Sequence, residues 1–404
     1  MGLKKLLSLI SSNGGVVLCG LISSIITARY LGPEGRGTIA DYFLWISITL
    51  GIFGFSVTEN IITFYKNEKG LNFIRLIHAT RWHLIVIATS NSIISMYLLF
   101  VKNYSVLLIF SSTLVIYIGF LISICTGILL KDGKLYVLSL VQLTTPTVYV
   151  FILLLGIKFD CLDIDYVLYS NLVANIVCLL IAYCNSFATK NVSKDIKIKN
   201  EKFLIYSLRV HLSNILSVIN SQVDKFIISM FLGSTALGYY AVALTIGFTA
   251  CQAVTNATAS FITPIVSGKA LKGNKSANLY LIMNTAIILI IAFILYFLVE
   301  FIIVNLFGKE FYSSIAIAKV LLIYSALTLM KLSLLKLVRV SKDRNVLLLY
   351  IPDIVSIISI IMMTLILKYF SALDLLKMSY LFTVGSLVSL ITCIFLFARC
   401  QYED

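Results

Sequence analysis

The sequence predicts an all-α integral membrane protein, with about twelve transmembrane helices in two pseudo-symmetric six-helix bundles. Three observations lead there. Charged residues make up only 12% of the 404 positions and the mean hydropathy is +1.00, whereas soluble domains carry about 25% charged residues. Apolar stretches of about 20 residues, each long enough to cross a hydrocarbon core, recur from end to end. Finally, one short pattern occurs twice. Leu31-Gly32, four residues and Gly37 return as Leu232-Gly233, four residues and Gly238, at an offset of 201 (233 − 32). The same offset aligns Ser12-Asn13 with Ser213-Asn214, Ile26 with Ile227 and Ala40 with Ala241. Two similar membrane halves in tandem are the usual construction of a secondary transporter.

The spans read in order as 8–30, 38–64, 82–101, 104–130, 135–157, 165–188, 204–232, 238–266, 278–307, 311–337, 345–367 and 376–398. Helices are expected because lipid leaves exposed backbone groups unsatisfied, and the runs are too long and continuous for barrel strands. The first run follows Lys4 and Lys5 without an obvious small-residue cleavage site, so it reads as a retained helix. One weak point is the junction of the ninth and tenth spans, separated only by Gly308-Lys309-Glu310, and the polar seventh span is another. The chain is expected to divide into an N-terminal bundle (1–188), a basic linker (189–202) and a C-terminal bundle (203–404). In that linker Lys190, Lys194, Lys197, Lys199 and Lys202 stand against Asp195 and Glu201.

The net charge of +14 resembles a nucleic-acid signature until its location is considered. With the N-terminus inside, most Lys and Arg fall in inner loops, while the outer side keeps few and holds the acidic trio Asp160, Asp163 and Asp165. That asymmetry places both termini in the cytoplasm. The eight cysteines form no C-x-x-C pair and mostly sit in apolar segments, as small hydrophobes do. Three scattered histidines suggest no metal site. No dinucleotide fingerprint, phosphate-binding loop, nucleophile elbow or metal-spaced His/Cys cluster occurs, so energy input from ATP hydrolysed by this chain is not expected; no catalytic residues and no cofactor are assigned.

Ionisable residues within spans are costly and should face an interior or a wet cavity. The seventh span holds Arg209, His211, Asn214, Asn220, Ser221, Gln222, Asp224 and Lys225. Ser207, His211, Asn214, Val218, Ser221 and Lys225 form one helical stripe. It reads either as a cavity lining or as inter-helix hydrogen bonding. Asp41 and Glu59 bracket the second span, and Asp353 follows Pro352 in the eleventh. Each is a candidate for a coupling cation or proton, with interfacial or packing roles as the alternative. Lys319 and Lys331 in the tenth span are candidate cavity cations.

The stretch Ala28-Arg29-Tyr30-Leu31-Gly32-Pro33-Glu34-Gly35-Arg36-Gly37 resembles the Wzx-type O-antigen and capsule translocases. These are polysaccharide flippases in the superfamily that includes the MATE transporters. A second likeness is Val223-Asp224-Lys225-Phe226-Ile227-Ile228, followed by Leu232-Gly233 and Ala236-Leu237-Gly238-Tyr239-Tyr240. The resemblance implies a flippase of the bacterial inner membrane that moves undecaprenyl-pyrophosphate-linked oligosaccharide repeat units by alternating access. Its partners would be that lipid-linked substrate, membrane lipids and other polysaccharide assembly proteins, not nucleic acid. For the pyrophosphate it implies cations, with Arg209 and Lys319 foremost and Arg29, Lys225 and Lys331 in reserve. A cation-coupled multidrug antiporter and a membrane polysaccharide polymerase are the alternatives.

Overall fold

A computed structural model describes residues 3–54, 56–64, 73–102, 104–187, 200–266, 275–340, 346–370 and 372–402. Residue 188 and the linker residues 189–199 lie outside these. All regular structure among the described residues is helical. The helices are α1 (Leu3–Phe53), α2 (Val57–Phe64), α3 (Phe73–Ala79), α4 (Arg81–Phe100), α5 (Val106–Lys131), α6 (Leu135–Lys158) and α7 (Ile164–Phe187). They continue as α8 (Asn200–Phe231), α9 (Gly233–Val266), α10 (Lys275–Ile302), α11 (Ser314–Val340), α12 (Val346–Tyr369) and α13 (Leu375–Tyr402). A π turn (Ile303–Phe307) and a 3-10 turn (Lys309–Phe311) join α10 to α11 around Gly308, whose φ of 108° stops the helix.

Gly32 interrupts α1 in an extended left-handed conformation (φ 66°, ψ −173°), and Pro33 opens the next limb. Glycine tolerates that φ without a Cβ penalty, and proline suits the first helical position. The two limbs of α1 together with α4 to α13 make twelve long helices. Nine helices among the described residues are long and apolar enough to cross a membrane. That set counts α1 once and does not include α8 and α9.

Two features depart from the expected spans. The second span breaks between Phe53 and Val57, so residues 38–64 are not one helix. The break is physical. A Cβ on Gly54 would strike the Leu50 carbonyl, and Ser56 takes a left-handed φ of 47°. The short α3 before the third span was not foreseen, because its few residues are too short to show a helical period.

The described chain forms two compact units, Met1–Asp41 with Ile219–Asp404, and Tyr42–Val218. The boundaries of these units fall within α1 and α8. In the first unit, α11 packs against α9, α10 and α13, with α12 on α13. Its core joins Ile228, Leu237, Tyr240, Phe307, Phe311, Leu321 and Phe382. In the second, α5 packs on α7 and α2, and α6 packs on α7, around Ile61, Leu76, Phe120, Ile124 and Leu129. Helix ends are closed locally. The Ser105 hydroxyl accepts from the Leu108 N–H at the start of α5, and Asp163 Oδ1 accepts from the Tyr166 N–H at 2.7 Å at the start of α7.

Burial is inverted relative to a soluble protein. The most apolar of the nine spans, on α10, is also the least buried. Ile282, Ile290, Phe293, Phe297 and Phe301 all point outward there. A surface of this kind is stable only against hydrocarbon. The protein is a multi-pass membrane protein.

The two repeats meet inside the first unit. Gly233, like Gly32, is left-handed (φ 85°). Five residues after each, Gly37 and Gly238 face one another. A Cβ on Gly37 would run into the Ser234 carbonyl and lie 3.0 Å from the Gly238 nitrogen. A Cβ on Gly238 would run into the Pro33 carbonyl and lie 3.1 Å from the Gly37 nitrogen. Pro33 and Ser234 are themselves one repeat apart, so the contact is locally two-fold. Only glycine lets two backbones approach this closely.

Candidate functional site

The polar residues singled out from the sequence fall into separate hydrogen-bonded stations, because each buried polar group must find a partner where water is absent. In the first unit three carboxylates are buried along α8. Asp353 Oδ1 lies 2.8 Å from the Lys331 ammonium and also accepts from Asn220 Nδ2 at 2.9 Å. One turn further, Asp224 Oδ2 accepts from the Tyr240 hydroxyl at 2.6 Å and the Tyr324 hydroxyl at 3.4 Å, and its Oδ1 accepts from the Lys225 N–H. Asp41 Oδ1 accepts from the Ser229 hydroxyl at 2.6 Å.

The cations of this unit differ in how far they are committed. Lys331 is 3% exposed and held by Asp353. Arg29 is exposed, and its fork donates to the Leu306 carbonyl at 2.7 Å and to the Asn305 carbonyl. Those carbonyls end the α10 segment, where a cation is favoured by the helix dipole. Lys319 is half-buried with its ammonium 5.4 Å from the Tyr296 ring centre, within the range of a cation–π contact. Lys225 is half-buried and donates to Gln222 Oε1 at 2.8 Å. Arg36 donates to Ser24, which lies 3.5 Å from the Thr245 hydroxyl.

In the second unit, His211 and Asn214 of α8 close the break between α1 and α2. His211 Nε2 lies 2.5 Å from the Ile52 carbonyl, which can only accept, so Nε2 carries a proton. Nδ1 is 3.0 Å from Ser56 Oγ, and Asn214 Nδ2 donates to the same oxygen at 2.7 Å. Ser56 Oγ is thus held between two side chains of α8. One turn on, Val218 fills the notch left by Gly51. Of the stripe, His211, Asn214 and Val218 thus meet the segment around the α1–α2 break, while Ser221 is exposed and Lys225 bonds within α8. The side chains of Ser207, Arg209 and Glu59 lie outside the described residues.

The structure brings Lys331, Asp353 and Asn220 together and keeps Asp224 and Asp41 as separate stations. Sequence reasoning missed Tyr240, Tyr324, Ser56 and Ser229, whose roles come from neighbours distant along the chain. A pocket of about 460 Å³ in the first unit, bordered by Thr235, Tyr239, Ser313 and Asp374, includes none of the predicted site residues.

The architecture has known counterparts. The lipid II flippase MurJ in an inward closed conformation superimposes with a TM-score of 0.73 at 17% identity, covering 96% of this chain and 87% of that one. An inward-facing MATE family multidrug resistance transporter of the MOP superfamily gives 0.70 at 14% identity, covering 96% and 94%. A MOP superfamily transporter from Pyrococcus furiosus gives 0.66 at 14% identity, covering 98% and 96%. At these identities the likeness is one of fold. No curated protein gives a significant match. A profile described as polysaccharide biosynthesis protein matches residues 26–316, well over half of the chain, and spans both copies of the glycine repeat. The chain belongs to the polysaccharide biosynthesis protein family, built on the fold that MurJ and the MATE transporters share.

Proposed function

We propose that the protein is a flippase. It carries undecaprenyl-pyrophosphate-linked oligosaccharide repeat units across the bacterial inner membrane by alternating access, for synthesis of a surface polysaccharide such as O-antigen or capsule. The observation that carries this reading is membership of a polysaccharide biosynthesis family on a fold shared with a lipid II flippase. The reading contains no catalytic step. Both termini and the 189–202 linker lie in the cytoplasm, and the halves 1–188 and 203–404 are the two repeats. Other assembly proteins receive the translocated unit.

A pyrophosphate head needs cations whose charge is not already neutralised. Lys319 and Lys225 suit that role because the partners recorded for them, Tyr296 and Gln222, are neutral. Arg209, which brings a bidentate guanidinium to the seventh span, is the foremost candidate. Arg29 and Lys331 are engaged by carbonyls and by a carboxylate, and serve only if those bonds open.

Deletion of the gene in its own host tests the proposal. Loss of surface glycan with intact lipid-linked units on the inner leaflet is expected. Units accumulating on the outer leaflet would point instead to a polymerisation defect, and normal glycan to the antiporter reading that the MATE fold also allows. Arg209→Ala is expected to abolish surface glycan at unchanged membrane abundance. Normal glycan from that variant removes Arg209 from the phosphate role.

A further inference from the structure

Asp353 is the acidic residue whose setting reveals most about ion coupling. It sits on α12 directly after Pro352, within the membrane-spanning part of the first unit. Its side chain and that of Lys331 on α11 are 5% and 4% exposed, and Nζ is 2.8 Å from Oδ1. The same oxygen accepts from Asn220 of α8 at 2.9 Å. α13 closes the site through the Ser389 hydroxyl, which donates to the Pro352 carbonyl at 2.8 Å.

A dehydrated alkali cation would require a carboxylate of uncompensated charge surrounded by further oxygens. The Asp353 carboxylate instead faces two nitrogen donors, one of them a full positive charge in a site of low dielectric. A second cation at that oxygen would meet Lys331 at contact distance, where repulsion is scarcely screened.

We infer that Lys331 is a tethered counter-cation that takes at Asp353 the position a mobile alkali cation would otherwise occupy. Lys331 thereby fixes the ion specificity of the Asp353 site, which runs without sodium or potassium. This extends the transport reading above to its ion coupling. The test below reads ion binding alone, so it is decided whether or not a glycan is the cargo.

The experiment is thermal unfolding of the purified full-length protein in sodium, potassium or choline chloride at equal ionic strength. The wild type is expected to melt at the same temperature in all three. Lys331→Gln leaves the carboxylate uncompensated, and a sodium- or potassium-specific rise of roughly 2 °C or more over choline is expected. The double variant Lys331→Gln/Asp353→Asn should lose that ion-specific rise, and should melt closer to the wild type than Lys331→Gln in choline, since a neutral pair leaves no buried charge alone. A sodium- or potassium-specific shift in the wild type that disappears in Asp353→Asn overturns the inference. So does a folded Lys331→Gln protein that responds to neither ion. If Lys331→Gln does not fold, the wild type compared with Asp353→Asn still decides, because a mobile-cation site would show its shift there.

Discussion

Asp224 illustrates how a single carboxylate is made tolerable inside a membrane protein. Buried at 1% exposure, it receives the hydroxyls of Tyr240 on α9 and Tyr324 on α11 and the N–H of its own successor. Hydrogen bonds to a charged group contribute about 1.5–3 kcal/mol, and an unsatisfied one costs at least as much. Asp224→Asn keeps the shape but removes the charge. It is expected to destabilise the protein by about 2 kcal/mol, seen as an earlier melt in detergent; an unchanged melt would show that the two phenols gain nothing from a charged acceptor. The sequence marks Asp224 as a residue out of place in lipid, and marks Lys331 and Asp353 in the same way. It does not reveal their partners. Tyr324 lies 100 positions from Asp224, and among 22 tyrosines no periodicity distinguishes the two that matter. Pairing is a tertiary property, so types of site residue were legible while their connections were not.

Among the helices, the break between α1 and α2 depends on an element remote in sequence. The last carbonyls of a helix need partners, and in the second unit His211 supplies one to Ile52 while Asn214 and His211 both hold Ser56. His211→Ala is expected to cost about 1–3 kcal/mol, since it strips the part-buried Ile52 carbonyl of its partner and leaves Ser56 to Asn214 alone. Limited proteolysis between Phe53 and Val57 reads the loosening directly, and resistance equal to wild type would show that the break is held by other contacts. The number and approximate limits of the long helices were readable because bilayer thickness dictates their length. The break itself was not, since apolar residues continue through it and Gly51 and Gly54 signal a bend only once their neighbours are known. The glycine repeat, by contrast, was visible at once. Gly37→Ala and Gly238→Ala each insert a methyl into the carbonyl opposite, so each is expected to destabilise by about 1–3 kcal/mol, measured as reduced melting temperature and membrane abundance. Costs that differ grossly between the two would contradict the two-fold contact.

For the molecule as a whole, the solvent is lipid, and that explains why the most apolar span is the least buried. The distribution of Lys and Arg sets the expected orientation. A reporter joined after Asn191 should therefore signal from the cytoplasm, and a signal from the opposite side would reverse the topology. The facing glycines carry a consequence for ancestry. A patch that binds its own copy about a two-fold axis is what an isologous homodimer presents. A half-length ancestor with a single copy of the motif would have exposed one notch and one carbonyl, each waiting for the other. Only a second molecule turned through half a revolution could have filled both. Fusion of two genes would then have made permanent an association that the primordial half already formed, and the close approach of Gly37 and Gly238 would be the surviving seam of that dimer.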